Sequence, residues 1–417
     1  MSLYFRTKKK EVIMLVKFFC AVLLMGLLVM IGCEGNDPVS SVLETEPSQS
    51  AEASWNESTA GDLECIGRWK CKKTIRVMTR NVYVGADVDK VLAADDPNQI
   101  PVLAAEAFQT LIATNFPERA EAFAKEIKQA DPHLIGLQEI STIYTQIPGD
   151  AIDGGTTPAS DVAYDFLKIL MRTLRAYGLS YKVVGKIKNI DVEVPMVVST
   201  APLAFGDVRL VDYDVVLART DVRTRNVLEK TYQASLPVPT FGIEINRGFV
   251  AVDATIGKTT IRFASTHLEP APIPQIIPVQ LGQAQELVTI LKSEKKPVVV
   301  VGDFNTPAPY GETYQYIQSE GFVDAWTRNR LTDNPDGFTS NHDPDLRNDI
   351  VDLNERIDLI FVRNKAGFSH HQVFGPVYAY VVGDEPQDRT TNGLWPSDHA
   401  GVVACLHLHP LGWGAYK

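Results

Sequence analysis

Cysteine is scarce, five in 417 residues. Where two lie close together, at Cys65 and Cys71, no histidine or third cysteine stands beside them to complete a zinc site. Positive charge is also in short supply: 40 Lys and Arg against 51 Asp and Glu give a formal net charge of -11. Residues 1 to 32 hold Arg6, Lys8, Lys9, Lys10 and Lys17 against Glu11 alone, so the rest of the chain is more acidic still. That sign disfavours tight, sequence-independent binding of long nucleic acid, whose affinity comes largely from Lys and Arg neutralising phosphates. It leaves room for hydrolysing a nucleic acid, because catalysis needs only local positive charge. The apolar run from Phe18 to Gly32 is short for a membrane span.

What is present begins with that run. A basic segment precedes it and Gly32-Cys33 closes it, the pattern of an export signal. Its end resembles the lipobox of bacterial lipoproteins, which implies that Cys33 is lipidated and becomes the new N-terminus. Residues 34 to 62 are rich in Ser, Glu, Thr, Pro and Asn with few large apolar side chains, the composition of a solvated tether. In an exported chain Cys65 and Cys71 are expected to form a disulfide at the entrance of the folded body. The organisation expected is a signal peptide over 1–32, a lipid-anchored tether over 33–73 and one folded body over 74–410. Its location would be the cell envelope, held to a membrane through the lipid.

Within the body, 45% hydrophobic content is enough for a large core. The stretch Lys296 to Pro307 organises it. Four consecutive Val residues behind Pro297 read as a central strand buried on both faces, and it ends in Gly302-Asp303-Phe304-Asn305. A carboxylate and a carboxamide two residues apart then project to the same side at a strand tip. Other strands are expected from Thr74 to a break at Gly85 with Asn81 near its end, His133 to Glu139, Tyr181 to Lys186, Val208 to Ala218, Arg247 to Ile256, Lys258 to Leu268 and Arg356 to Val362. Helical spacing predicts two helices between Ile100 and Ala130, broken near Asn115-Phe116-Pro117. It predicts others over Asp161–Tyr177, Leu281–Leu291 and Glu312–Ser319. The apolar stretch Val192 to Phe205 is expected to be buried, and Cys405 to be a core thiol.

Several of these strands end in the same chemistry. Glu139 closes a buried run, where a carboxylate is costly unless it meets a cation. Asp358 lies among apolar residues and wants a His or Arg partner. Asn81, Glu139, His267, Asp303, Asn305, Asp358, Asp398 and His399 all lie at or beside strand ends, and helices separate several of those strands. A layered α/β protein gathers such ends at one rim. A pocket of carboxylates, carboxamides and two His suits a hard, oxygen-liganded cation better than zinc. His133, His370, His371, His407 and His409 read as structural or surface residues.

Seven short segments carry a resemblance: Arg80-Asn81-Val82, Leu137-Gln138-Glu139, Asn246-Arg247-Gly248, Thr266-His267-Leu268, Gly302-Asp303-Phe304-Asn305, Arg356-Ile357-Asp358 and Ser397-Asp398-His399. In content and order they resemble the motifs of the endonuclease/exonuclease/phosphatase superfamily, over roughly Thr74 to Leu408. The resemblance implies a four-layer α/β/β/α sandwich of two mostly antiparallel sheets flanked by helices. It implies that Glu139 is the principal ligand of Mg²⁺ or Mn²⁺, with Asn81 and Asp398 completing the metal shell. Asp303 and Asn305 would orient the attacking water and the phosphate. His399, paired with Asp358, would be general base or phosphate-stabilising imidazolium, His267 the complementary acid or phosphate donor, and Arg247 a substrate-positioning residue.

The function expected is hydrolysis of a phosphoric ester, a diester in preference to a monoester because both His motifs are present. Nucleic acid, phospholipid or a small phosphorylated metabolite would be the substrate, and no protein partner is implied. The competing expectation is a non-catalytic surface-binding lipoprotein on the same fold. Such a protein would have lost one of Glu139, Asp303, Asn305 or His399, and all four are present.

Overall fold

The structure, a computed structural model, describes residues 74–94, 96–329, 331, 334–363 and 374–408. Contacts divide the chain into Met1–Asp62 and Leu63–Lys417, and every described residue lies in the second unit. Cys33, Cys65, Cys71, His370, His371 and His409 lie outside the described residues, as does the signal segment. No helix among the described residues is long and apolar enough to cross a membrane.

Two sheets dominate. The first runs in the spatial order β15 (Phe374–Val382), β16 (Gly401–Leu408), β1 (Thr74–Asn81), β2 (Leu134–Gln138), β6 (Leu203–Arg219), β3 (Thr142–Gln146) and β4 (Asp161–Asp165), with β5 (Tyr181–Thr200) also paired to β6. The second runs β13 (Val323–Asp324), β14 (Asp358–Arg363), β12 (Val298–Asp303), β11 (Thr259–His267), β10 (Gly248–Ile256) and β7 (Arg223–Thr231). β8 (Leu236–Val238) and β9 (Ile243–Ile245) form a separate ribbon. Each main sheet has one parallel pair, β1 with β2 and β11 with β12, in an otherwise antiparallel ladder. The helices longer than one turn among the described residues are α1 (Ile100–Ala113), α2 (Phe116–Ala130), α3 (Phe166–Ala176), α4 (Ile277–Leu291) and α5 (Glu312–Ser319).

Strand periodicity sorts the side chains into layers. The Val run divides: Val299 and Val301 join Val77, Leu134, Val216, Phe263 and Ile360 in the core between the sheets. Val298 and Val300 turn outward and pack with Ala284, Leu287, Leu291 and Ile317 of α4 and α5. On the other side, Met78, Ile135, Leu137, Val215 and Leu217 face outward onto Phe116, Phe123 and Ile127 of α2 and Phe166, Leu170 and Leu174 of α3. The result is the expected α/β/β/α sandwich. All four Val side chains are at most 2% exposed, a burial on the order of 2 kcal/mol each.

Two expectations change. Residues 161–165 form a strand rather than the first turn of a helix, because alternating Asp161-Val162-Ala163-Tyr164-Asp165 pairs with β3 and the helix starts only at Phe166. Asp165 caps it, its carboxylate accepting from Lys168 N at 2.9 Å. The stretch from Val192 to Phe205 is split between faces. β5 runs on to Thr200, so Val194 and Met196 are buried while Val198 and Leu203 are exposed.

The parallel β11–β12 pair needs a close approach at Gly302. A Cβ there would meet the Thr266 carbonyl oxygen at 2.0 Å, and backbone cannot yield. Gly302→Ala is therefore expected to lower the unfolding free energy by about 1–3 kcal/mol, read by denaturant titration; unchanged stability would refute this packing.

Candidate active site

The inward-facing rows of the sheets change character at one rim. β1 ends inward at Asn81, β11 at His267 and β12 at Asp303, while β14 begins at Asp358. The register sets His267 beside Asp303 and Asp303 beside Asp358. Because β16 runs antiparallel to β1, Asp398 and His399 just before it arrive at the same rim. One cleft of about 300 Å³ is lined by Glu139, Arg247, His267, Asp303, Asn305, Asp398 and His399. Asn81 and Asp358 stand behind it, bonded to lining residues. All nine site residues proposed from the sequence of the folded body thus come together.

Glu139 sits one residue past β2 with φ 59°, a left-handed conformation uncommon for a residue with a side chain. That turn brings its carboxylate back over β1. Its two oxygens accept from Asn81 Nδ2 at 2.8 Å and Val84 N at 2.8 Å. Asn81 Nδ2 also reaches Asp303 Oδ2 at 3.1 Å, and Asn81 Oδ1 accepts from Tyr83 N. Asp303 Oδ1 accepts from Asn305 N at 2.9 Å, and Asn305 Nδ2 donates to the Leu268 carbonyl at 3.0 Å. Burial, together with the carboxylates of Asp398 and Asp212, pushes Glu139 up to about 8. Burial raises Asp398 as well.

Converging half-buried carboxylates without a cationic partner fit a divalent cation. No Lys or Arg pairs with Glu139 among the described residues, and its donors are an amide and a backbone N–H. A tighter grouping of ligating atoms, within 4.8 Å of one another, is Asp303, Asp358 and His399. It fits a cation less well, because Asp358 Oδ2 is already engaged by His399 Nδ1 at 2.8 Å. We read that trio as a hydrogen-bonded dyad beside a carboxylate.

The two histidines have opposite electrostatics. Burial works against an imidazolium at His399, but Asp358, Asp398 and Asp303 outweigh it and hold its pKa well above the ordinary value. At His267 burial and the Arg247 guanidinium act together and push the pKa down to about 3. Arg247 Nη1 lies 3.0 Å from His267 Nδ1. Since a guanidinium only donates, Nδ1 must accept and the ring proton resides on Nε2. Nε2 is 3.7 Å from Asp303 Oδ2. Arg247 itself is fixed by Glu269, Nε to Oε2 at 3.2 Å, in a buried ion pair rather than a surface one.

Several site residues lie outside the sequence motifs. Asp212 and Asp214 on β6 share the inward face of Val216 and reach the rim. Asp212 accepts from Ser141 and Asn189, and both oxygens of buried Asp214 lack a hydrogen-bond partner. Two acids alternating with apolar residues on one strand were the available signal. Fully buried Arg119 of α2 donates to the carbonyls of Val82, Tyr83, Thr114 and Pro396, so it ties the segment after Asn81 to the one before Asp398. Arg80 bonds Glu126 and the His399 carbonyl. Thr339 Oγ1 accepts from the backbone N–H groups of Ile357 and Asp358.

No curated protein matches the chain. Among solved structures, an endonuclease/exonuclease/phosphatase family protein from Leptotrichia buccalis is 16% identical with a TM-score of 0.47, covering 81% of this chain and 100% of that one. One from Bacteroides vulgatus is 16% identical with a TM-score of 0.46, covering 81% and 99%. TDP2 of D. rerio, complexed with a single-strand DNA product, is 16% identical with a TM-score of 0.45, covering 80% and 98%. The pattern of the Endonuclease/Exonuclease/phosphatase family matches residues 108–399, most of the folded body and all but Asn81 of the rim, and the chain belongs to that family of phosphoester hydrolases.

Proposed function

We propose that this protein is a Mg²⁺-dependent phosphodiesterase, exported and lipid-anchored at the cell envelope through Cys33. The observation that carries the catalytic part is the meeting, in one cleft, of a cation-poor carboxylate at Glu139 with the Asp358–His399 dyad and Asp303. Glu139, with Asn81 and Asp398, would hold the metal. When bound it supplies Lewis-acid polarisation of a phosphoryl oxygen. Mn²⁺ would serve the same donors. The envelope location rests on the N-terminal pattern alone.

The chain's own groups divide the remaining work. Asp303, held by Asn305 N and Asn81 Nδ2, offers its carboxylate to align an attacking water. Asn305, fixed through Leu268, orients the phosphate. His399 has Nδ1 committed to Asp358, so Nε2 is the nitrogen left for substrate; its raised pKa favours an imidazolium that donates to a phosphate oxygen. His267 is neutral with its proton on Nε2, which suits a hydrogen-bond donor to phosphate better than a proton-transferring acid. Arg247 acts by setting that tautomer.

A hydrolysis panel of DNA, RNA, sphingomyelin, inositol phosphates and a chromogenic diester tests the reading. Turnover is expected with Mg²⁺ or Mn²⁺ and none with chelator or in Glu139→Ala; turnover insensitive to both would sink it. His399→Ala is expected to cost on the order of 10²-fold or more in kcat, and near-normal kcat would reject its role. A third outcome needs no substrate. The folded state keeps the Glu139 proton up to about 8, whereas the unfolded chain releases it near 4.5. In that window deprotonation therefore costs the folded state, and stability falls as pH rises. With chelator present, the melting temperature should drop between those pH values, Mg²⁺ should restore it, and Glu139→Gln should flatten the drop; a pH-independent, metal-insensitive melt would count against cation binding at Glu139.

A further inference from the structure

Beside the cleft lies a second cavity of about 70 Å³ whose lining is wholly apolar. Ala104, Ala107 and Phe108 of α1 form one side, and Val192, Val194 and Val208 of the β5–β6 hairpin form another. The two spaces adjoin: Val84, Ala86, Val88, Leu92 and Leu210 line both. Val84 is also the residue whose N–H holds Glu139. The cavity is about half the size of an apolar cavity that stays dry and accepts benzene. It therefore has room for a few methylene groups and nothing polar to satisfy water.

The cleft's charge points the same way. Among the described residues no Lys lines it, and its one Arg, Arg247, is spent on Glu269 and His267. Asp87, Asp89 and Asp212 line it in addition to the acids already described. A polyanion entering would find no cationic track to follow and would meet this repulsion at every phosphate, whereas a single phosphate on an uncharged body meets it once, at the proposed metal.

We propose that the substrate is a phosphoester bearing a short aliphatic group, which occupies this cavity while the phosphate lies in the cleft. The proposal rests on the phosphodiesterase reading for its chemistry, but not for its binding geometry. Burial of each methylene should tighten binding about fourfold, and the gain should stop once the cavity is filled.

The test is calorimetric titration of the whole chain, with Mg²⁺, by methyl, ethyl, propyl, butyl and octyl phosphate. Affinity is expected to rise at least tenfold from methyl to butyl and then level off. Ala104→Phe and Val194→Phe, which fill the cavity from opposite walls, should each reduce the butyl-to-methyl ratio to near one while the protein still melts cooperatively. Equal affinity across the series overturns the proposal, as does a ratio untouched by both variants. A steady gain through octyl overturns the confined cavity in favour of an open track for long chains. Hydrolysis of methyl 4-nitrophenyl phosphate is read in parallel. Its absence alongside chain-length-dependent binding would count against the hydrolase and not against the cavity.

Discussion

Everything at the rim depends on the two-residue alternation of the central strands. It assigns Val299, Val301 and Asp303 to one face of β12, and Phe263, Ser265 and His267 to one face of β11. The same rows that close the dry core therefore deliver the polar side chains at its end. Gly136 lets the sheets approach, since a Cβ there would strike Ser265 and Val301. Beside it, Thr79 donates to Gln138 and Gln138 to Ser265, each at 3.1 Å, a polar seam between core and cleft. A shift of one residue in the β12 register would turn Asp303 outward and set Gly302 or Phe304 in its place at the cleft.

Gathering buried carboxylates is costly, and the neighbouring structure offsets it without neutralising them. Arg119 spends its hydrogen bonds on four backbone carbonyls, and Arg80 on Glu126 and the His399 carbonyl, rather than on site acids. Removing Arg119 would leave several buried carbonyls unpaired, each worth about 1–3 kcal/mol, and removing Arg80 would strand the buried Glu126 carboxylate. These arginines thus fix the loops after Asn81 and before Asp398 while leaving Glu139 and Asp398 available. Tyr83, Glu139 and Asn305 all adopt positive φ within those loops or beside them. Such conformations persist where surrounding contacts over-determine them, and the Arg119 fan supplies part of that constraint.

Much of this was legible in the sequence for a definable reason. Asn81, Glu139, His267, Asp303, Asp358 and His399 stand at the boundary between an apolar run and a turn, so the change of composition marks both the strand end and the site. Asp358 announced a partner by its apolar surroundings, and His399 lies 2.8 Å away. Asp212 and Asp214 were less visible because β6 continues past the rim to Leu203, and no turn marks where its inward face leaves the core. Arg119 sits on an amphipathic helix where an arginine ordinarily faces water; only the tertiary fold shows it buried. The strand at 161–165 was read as helix because its partner β3 is separated from it by a loop and contributes the deciding hydrogen bonds.

The unlike electrostatics of the two histidines bear on how a phosphate could be held at all. Among the described residues the cleft has one arginine, already bound, and seven lining acids, so its own field opposes an anion. Two positive features would have to overcome it: the cation proposed at Glu139 and an imidazolium at His399. His267 cannot be a third, because Arg247 donates into its Nδ1 and holds the ring neutral. Phosphate affinity in this cleft should therefore be tied to metal occupancy more tightly than in a site lined with lysines. That coupling would have a chemical use under the proposed reaction, because an anion admitted only alongside the cation would enter with its charge already partly neutralised, the state in which water attack on phosphorus is least opposed.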